Sequence, residues 1–214
     1  MSPSAKISTL VLAVVAAVVF TWILVNRSEE PVSAASSAAL VRPDSHRLSV
    51  AADGKVTVVE FLDFECEACG AAFAGVEQVR AEYGDRVTFV MRYFPLPGHR
   101  NAEIAARAVE AAGRQGRLEA MYRMMFETQA QWGDQQVSHA ETFRGFARQL
   151  GLDMPRFEKD WADPAVASRV LADRADGLEM GVQGTPTFFV NGEKFSGRPS
   201  YMGLKDALDA ELAK

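Results

Sequence analysis

The chain has 214 residues, of which 24% are charged, and its net charge at pH 7 is −5. This length allows one domain of ordinary size together with an additional segment. The negative charge is not accompanied by a basic cluster, which excludes a protein that binds nucleic acid through its phosphates. We therefore expect no nucleic acid among its partners.

The chain begins with an apolar stretch that is long enough to cross a membrane. Residues 7–25 carry no charged side chain, and as a helix they would reach roughly 28 Å, close to the thickness of the hydrocarbon core of a bilayer. We expect residues 1–27 to form an N-terminal membrane anchor with a single transmembrane helix. The alternative is a cleavable signal peptide, since Lys6 precedes the stretch and residues 32–34 offer small side chains for cleavage.

The next segment has the composition of a linker. Residues 28–47 are rich in Ser, Ala and Pro and show no apolar periodicity, which is typical of a flexible tether. We therefore place the folded domain at 48–214, outside the cytoplasm and held at the membrane. If the apolar stretch is instead a signal peptide, the domain is secreted.

The folded part starts with a strand, a helix and a second strand. Residues 56–64 are β-branched and aromatic on both faces, which indicates a strand buried within a sheet. A helical pattern follows as far as Gly84, and residues 87–94 predict the next strand. If the two strands are parallel, the first strand ends where the helix begins. Cys66 and Cys69 lie at that junction.

A helical subdomain is expected before the sheet resumes. Residues 97–181 carry helical apolar patterns throughout, with start and stop signals for five helices. Asn101 is expected to cap the first of these helices, and Ser138 with Glu141 has the spacing of a capping box for the third. The sequence thus predicts an all-helical insertion.

The sheet is expected to be completed near the carboxyl terminus. Residues 187–190 and 193–195 predict strands on either side of Asn191-Gly192, a strong signal for a two-residue hairpin. Residues 200–212 predict a final helix that covers one face of the sheet. The fold class is therefore α/β.

The two cysteines carry the main chemical signal. They are the only cysteines in the chain, and a disulfide that closes so small a loop adds little stability. At a helix amino terminus, free N–H groups and the helix dipole lower the pKa of the first cysteine, which makes Cys66 the attacking thiolate. Cys69, one turn later, is placed to resolve the mixed disulfide. The pair is expected to be a redox-active disulfide that needs no separate cofactor.

Glu60 is a second candidate for the chemistry. It shares a strand face with apolar residues, so its carboxyl group is expected in a low-dielectric interior near the cysteines, with a raised pKa. Such a group can exchange protons with Cys69. The alternative is a carboxylate that turns to solvent or pairs with a basic side chain.

A metal site is not expected. Zinc requires four ligands, and beyond Cys66 and Cys69 only His46, His99 and His139 remain, without ligand-type spacing. His99 follows the second strand where the insertion begins, and it could approach the active site. A loop or capping role is the favoured interpretation for it.

Taken together, residues 48–212 resemble the thioredoxin superfamily, and within it the DsbA-like group, which has a helical insertion and is often anchored to the membrane. The resemblance depends on Glu60 six residues before Cys66, on the sequence Cys66-Glu67-Ala68-Cys69, on the helical insertion, and on the segment from Gly184 to Gly192. It implies a thioredoxin-like fold with an inserted helical subdomain.

The resemblance also implies roles for individual residues. Cys66 would be the nucleophile, Cys69 the resolving thiol and Glu60 the buried acid. Pro186 would be a cis-proline beside the sulfurs. Thr185 would offer backbone groups to an extended substrate peptide, as in strand addition.

The activity that it implies is thiol-disulfide exchange outside the cytoplasm. We expect a dithiol oxidase that donates its disulfide to exported cysteine-containing proteins and is recycled by a membrane redox partner. A disulfide reductase or isomerase using the same cysteines is the alternative, and a binding module that does not use its thiols is a third. The well-known oxidases carry proline and histidine where this chain has Glu67 and Ala68. A glutamate about 4 Å away opposes the thiolate by up to about 1 kcal/mol in water, which weakens the oxidising tendency without reversing it.

Overall fold

Five strands form one mixed sheet in residues 40–214, the part of the chain that the computed structural model describes. The strands are β1 His46–Ser49, β2 Val56–Leu62, β3 Val87–Tyr93, β4 Thr187–Val190 and β5 Glu193–Lys194. The helices are α1 Glu67–Tyr83, α2 Ala102–Gly113, α3 Leu118–Glu127, α4 Ala140–Gln149, α5 Met154–Ala162, α6 Pro164–Glu179 and α7 Tyr201–Leu212, with a short 3-10 helix at Gln129–Gln131. The strand order is β1-β3-β2-β4-β5, in which β2 and β3 are parallel and all other neighbours are antiparallel.

Strand β2 is central because it is apolar on both faces. On one face, Val56 and Val58 pack in the same cluster as apolar residues of α1 and α7. On the other face, Phe61 packs edge-on against Phe189 of β4, and α6 crosses there at Gly177. A Cβ at Gly177 would lie only 2.7 Å from the Phe94 ring, so this close approach requires glycine. The predicted α/β fold and buried strand are confirmed.

Helices α2 to α6 occupy the predicted insertion and form a second apolar core with Leu62 and Tyr93 at the end of the sheet. The expected cap at Asn101 is wrong. This side chain is buried, and its Oδ1 accepts the His139 N–H at 2.8 Å instead of capping α2. Helix α4 follows His139, so Ser138 and Glu141 do not form the expected capping box.

Residues 40–47, which the sequence assigns to the tether, pack against the domain. Leu40 is only 2% exposed, and its carbonyl accepts a hydrogen bond from Arg92 Nη1 at 2.7 Å. Strand β1 pairs with β3 from His46 onward through backbone hydrogen bonds, which a polar edge strand can form without an apolar pattern. The predicted membrane span at 7–25 lies outside the described residues. Within residues 40–214, no helix is both long and apolar enough to cross a membrane.

Candidate active site

The two cysteines lie at the start of α1, after the end of β2. Cys66 is the N-cap residue of α1, and Cys69 lies in its first turn. Both are free thiols. Cys66 is 8% exposed whereas Cys69 is 1% exposed, so Cys66 is the more accessible of the two residues.

The surroundings of Cys66 favour its thiolate. The Cys69 thiol donates a hydrogen bond to the Cys66 sulfur, and the backbone N–H groups of Ala68 and Cys69 also point to it. Together with the Thr185 side chain they lower the pKa of Cys66 from 9.0 to about 5, although burial opposes the shift. Free amides at a helix amino terminus were the expected cause, and the neighbouring thiol contributes more.

The surroundings of Cys69 have the opposite effect. Burial raises the pKa of Cys69 well above its ordinary value, and the hydrogen bond to Cys66 and the Glu60 carboxylate raise it further. At neutral pH the pair therefore consists of a thiolate at Cys66 and a thiol at Cys69. A thiolate is the nucleophilic form of a cysteine, so Cys66 is the more nucleophilic of the two sulfurs at neutral pH.

The loop before β4 reaches the outer sulfur. The Thr185–Pro186 peptide bond is cis, as the resemblance implies. Cys66 Sγ lies 3.3 Å from the Thr185 carbonyl oxygen, to which the protonated thiol donates. Thr185 Oγ1 is buried without a hydrogen-bond partner among residues 40–214, so it is available to the sulfur once that group ionises.

Glu60 lies inside the domain, on the face of β2 that α1 covers. Glu60 is only 7% exposed, and this burial raises the pKa of its carboxyl group from 4.5 to about 8. The Glu77 carboxylate also raises this pKa, whereas Arg80 lowers it. Within the described range, Glu60 forms neither an ion pair nor a hydrogen bond to a sulfur. The alternative of a solvent-facing or ion-paired carboxylate therefore does not describe this residue.

Asp63 is a site residue that the sequence analysis missed. It is 2% exposed, and its carboxylate accepts the N–H groups of Glu65 at 2.8 Å and Leu96 at 2.9 Å and contacts His99 Nδ1 at 2.7 Å. Its carbonyl accepts the Cys66 N–H at 3.1 Å. Asp63 thus fixes the turn that presents Cys66. An aspartate that bonds the backbone two residues later is a recognisable turn signal, but its contact with His99 is not.

Gln129 is a second residue that the sequence did not indicate. Its Nε2 donates to the carbonyls of Phe64 at 2.7 Å and Cys66 at 2.9 Å. Its Oε1 lies where a Cβ of Gly70 would be, at 1.9 Å. Gln129 thus links the helical subdomain to the cysteine turn.

A cleft of about 330 Å³ opens at the outer sulfur. It is lined by Glu65, Cys66, Glu67, Ala68, His99 and Asp134. Among residues 40–214, no group of three or more His, Cys, Asp or Glu side chains is arranged to hold a metal ion. The groups of this site that can undergo thiol-disulfide exchange are the sulfurs of Cys66 and Cys69.

Comparison with known proteins agrees with this geometry. A family model described as thioredoxin matches residues 51–210. The chain belongs to the thioredoxin family. It is 30% identical to a thioredoxin-like oxidoreductase from Silicibacter pomeroyi DSS-3, with a TM-score of 0.69 over 83% of this chain and 98% of that one. It is 27% identical to the oxidoreductase DsbA from Xylella fastidiosa, with a TM-score of 0.63 over 80% of this chain and 94% of that one.

Within the thioredoxin family, these neighbours place this protein in the DsbA-like group of thiol-disulfide oxidoreductases. A curated relative, the Na(+)/H(+) antiporter NhaA of Herminiimonas arsenicoxydans, is 38% identical over 157 residues, which are 73% of this chain and 24% of that protein. The chain spans about a quarter of the length of the curated relatives it matches.

Proposed function

We propose that this protein is a dithiol oxidase that transfers the Cys66–Cys69 disulfide to exported cysteine-containing proteins. The observation that carries the proposal is the position of Cys66 as the N-cap residue of α1, where the Cys69 thiol and the backbone N–H groups of Ala68 and Cys69 lower its pKa to about 5. A thiolate stabilised in this way favours the reduced form of the pair, and a pair whose reduced form is favoured is oxidising. The same sulfurs would serve a reductase if their potential were low.

The proposed reaction has two exchange steps. A substrate thiolate attacks Cys66 Sγ of the oxidised pair, so the bond between substrate sulfur and Sγ forms while the Sγ–Sγ bond to Cys69 breaks. Cys69 leaves with the electron pair and takes up a proton, because its pKa is raised. A second substrate thiolate attacks the substrate sulfur of the mixed disulfide and releases Cys66 as a thiolate. The substrate loses two electrons and the cysteine pair gains them.

We propose Glu60 as the group that exchanges a proton with Cys69. Its pKa of about 8 leaves it largely protonated at neutral pH, so it has a proton to give when Cys69 leaves. Since no hydrogen bond joins Glu60 to a sulfur within residues 40–214, the transfer requires a bridging water or a side-chain movement. Thr185 and Pro186 would hold the substrate, with the Thr185 backbone pairing an extended peptide.

Location and partners belong to the same proposal. The domain would work outside the cytoplasm, held by the predicted membrane anchor at 1–27 and linked to it by the remaining part of the tether. A pair that gives up its disulfide must be reoxidised after every cycle. We propose that a membrane redox partner does this.

The direction of transfer is tested by the reduction potential of the cysteine pair in residues 40–214, measured by free-thiol content in glutathione buffers. A potential of about −120 to −180 mV would support disulfide donation or isomerisation, whereas about −270 mV would make a reductase the better proposal.

The roles of the two sulfurs are tested by serine substitution. Cys66→Ser should abolish oxidation of a reduced model protein. A model protein that carries a disulfide tests Cys69→Ser. The Cys66 thiolate should still attack that disulfide, break it and accumulate as a mixed disulfide, seen as a covalent adduct on non-reducing gels, because the thiol that would resolve it is missing. Oxidation that persists in Cys66→Ser would contradict the proposal and favour a binding module that does not use its thiols.

A further inference from the structure

The cleft beside Cys66 has an unfavourable charge for a thiolate. Glu67, the residue after Cys66 in the chain, is exposed and lines the cleft. Asp134 is also exposed and lines the same cleft. Neither residue between the cysteines is a cation. Negative charges near a sulfur disfavour its ionisation, so a thiolate here is helped by any positive charge that the rest of the fold supplies.

His99 is the one titratable base among the residues that line this cleft. Its Nδ1 lies 2.7 Å from Asp63 Oδ2, and the side chain is 29% exposed. Its backbone N–H donates to the Leu96 carbonyl at 3.1 Å, which fixes the loop. Nε2 has no protein partner within residues 40–214. The ring is thus held through one nitrogen and leaves the other open.

The Asp63 carboxylate is in a position to orient this ring. It is buried and accepts two backbone N–H groups besides contacting His99, so it cannot swing away without breaking the turn before Cys66. An imidazole held by a fixed carboxylate is stabilised in its charged form.

We propose that protonated His99, positioned by Asp63, stabilises the Cys66 thiolate and supplies the cation that the residues between the cysteines lack. This deepens the proposed function, because it names what sets the reactivity of the attacking sulfur. His99 acts on Cys66 by charge across the cleft, and Asp63 is a positioning residue that acts through His99.

The charges around His99 support its protonated form. Burial lowers its pKa, but the hydrogen bond to Asp63 and the charges of Asp63, Cys66 and Glu65 outweigh this and raise it. Because an electrostatic interaction is mutual, a Cys66 thiolate that raises the pKa of His99 has its own pKa lowered by the same amount.

Other charged groups also surround the ring. Glu67 and Asp134 line the Cys66 side of it, and Arg100, Glu103 and Arg174 line a neighbouring cavity of about 320 Å³ that shares His99. The carboxylates favour protonation and the two arginines oppose it. The pKa of His99 is raised overall, and raising the pH through that pKa removes the effect.

The first test uses the unaltered protein. The His99 ring is titrated by NMR in the reduced and in the oxidised state. The reduced protein carries the thiolate and the oxidised protein does not, so His99 should titrate about half a unit to one unit higher when reduced. Identical titration of His99 in the two states would overturn the proposal, and no variant has to fold for this result.

The second test compares two histidines. His99→Gln keeps a group that can bond Asp63 but removes the positive charge. Thiolate formation at Cys66 is followed by absorbance at 240 nm as the pH is raised. The midpoint of this titration should be about half a pH unit to one unit higher in the variant. His46→Gln is the matched control, since His46 pairs with Glu110 at 2.6 Å outside the cleft, and it should leave the midpoint unchanged. Equal shifts in both variants would overturn the proposal.

A cationic variant separates charge from structure. His99→Lys should restore part of the thiolate population that His99→Gln loses, whereas a purely structural role for His99 predicts no rescue. Failure of the proposed function would be seen differently, as absence of disulfide transfer by the unaltered protein while the coupled titration of His99 and Cys66 persists.

Discussion

At the level of single residues, Glu60 and Cys66 make opposite contributions to the pH dependence of stability. The pKa of Glu60 is raised in the fold to about 8, so the folded state holds a proton that the unfolded state has lost, and stability decreases as the pH rises towards 8. The pKa of Cys66 is lowered to about 5, so the unfolded state holds the extra proton, and stability increases with pH from about 5 upward. In the reduced protein the two effects largely cancel between pH 5 and 8.

Replacing either Glu60 or Cys66 should therefore reveal the effect of the other residue on the pH dependence of stability. In reduced Cys66→Ser, the free energy of unfolding should decrease from pH 5.5 to 7.5 by up to about 1.4 kcal/mol per pH unit, because Glu60 remains. In reduced Glu60→Gln it should increase over the same range, because Cys66 remains. Urea unfolding at the two pH values measures both slopes against the parent protein. Equal slopes in all three proteins would show that neither pKa is displaced as described.

At the level of elements, the start of α1 is positioned by a side chain from another part of the chain. Gln129 bonds two carbonyls around Cys66 and occupies the space next to Gly70. Gly70 is helical, and alanine is normally the better helix former by about 1 kcal/mol. The close approach of Gln129 therefore explains why position 70 is a glycine, because the helical backbone there would accept alanine.

Gly70→Ala should displace Gln129 and destabilise the protein by about 1 kcal/mol, since two hydrogen bonds are lost and helix propensity recovers only part of their contribution. In a Gln129→Ala background the same change should become neutral or stabilising. Gly145→Ala in α4 is the control, because a Cβ there meets nothing within 4 Å, and it should stabilise both backgrounds. Thermal and urea unfolding of the four combinations measure the coupling. Additive effects of Gly70→Ala and Gln129→Ala would contradict this explanation.

At the level of the whole molecule, a buried ion pair joins the sheet to the helical insertion. Arg92 of β3 donates through Nε to Asp173 of α6 at 2.6 Å, and both side chains are fully buried. Asp173 also accepts the Tyr93 N–H at 3.1 Å and pairs with Arg169 at 2.5 Å. Removing one member of a buried pair is costly because the other charge stays in a low-dielectric interior.

Asp173→Asn should therefore lower the free energy of unfolding by about 3 kcal/mol, although Asp176 still pairs with Arg92. Asp85→Asn is the matched control, since Asp85 is 85% exposed and lies 4.0 Å from Arg86, and it should change stability by less than about 0.5 kcal/mol. Urea unfolding of both variants gives the comparison. Similar small losses in the two variants would mean that this pair does not hold the insertion to the sheet.

The sequence alone determined the features that depend on neighbouring residues. The apolar run of β2, the two cysteines at its end and the hairpin at Asn191-Gly192 are local patterns with a direct physical cause. Together with the helical apolar patterns of residues 97–181, they were sufficient for the α/β fold and the helical insertion. Glu60 was expected to be buried because alternate residues of a strand share a face. Strand β1 was missed because a polar edge strand shows no apolar alternation.

Which residues meet at the Cys66 sulfur depends on how distant parts of the chain pack together. Asp63 and His99 are 36 residues apart, and Gln129 reaches Cys66 across 63. Nothing in their local sequence specifies these contacts, because they arise when the insertion folds back over the end of the sheet. Asn101 shows the same limit, since its position suggested a helix cap while its burial gave it other partners. A buried polar side chain forms hydrogen bonds with the groups that folding places beside it, and here those groups come from distant parts of the chain.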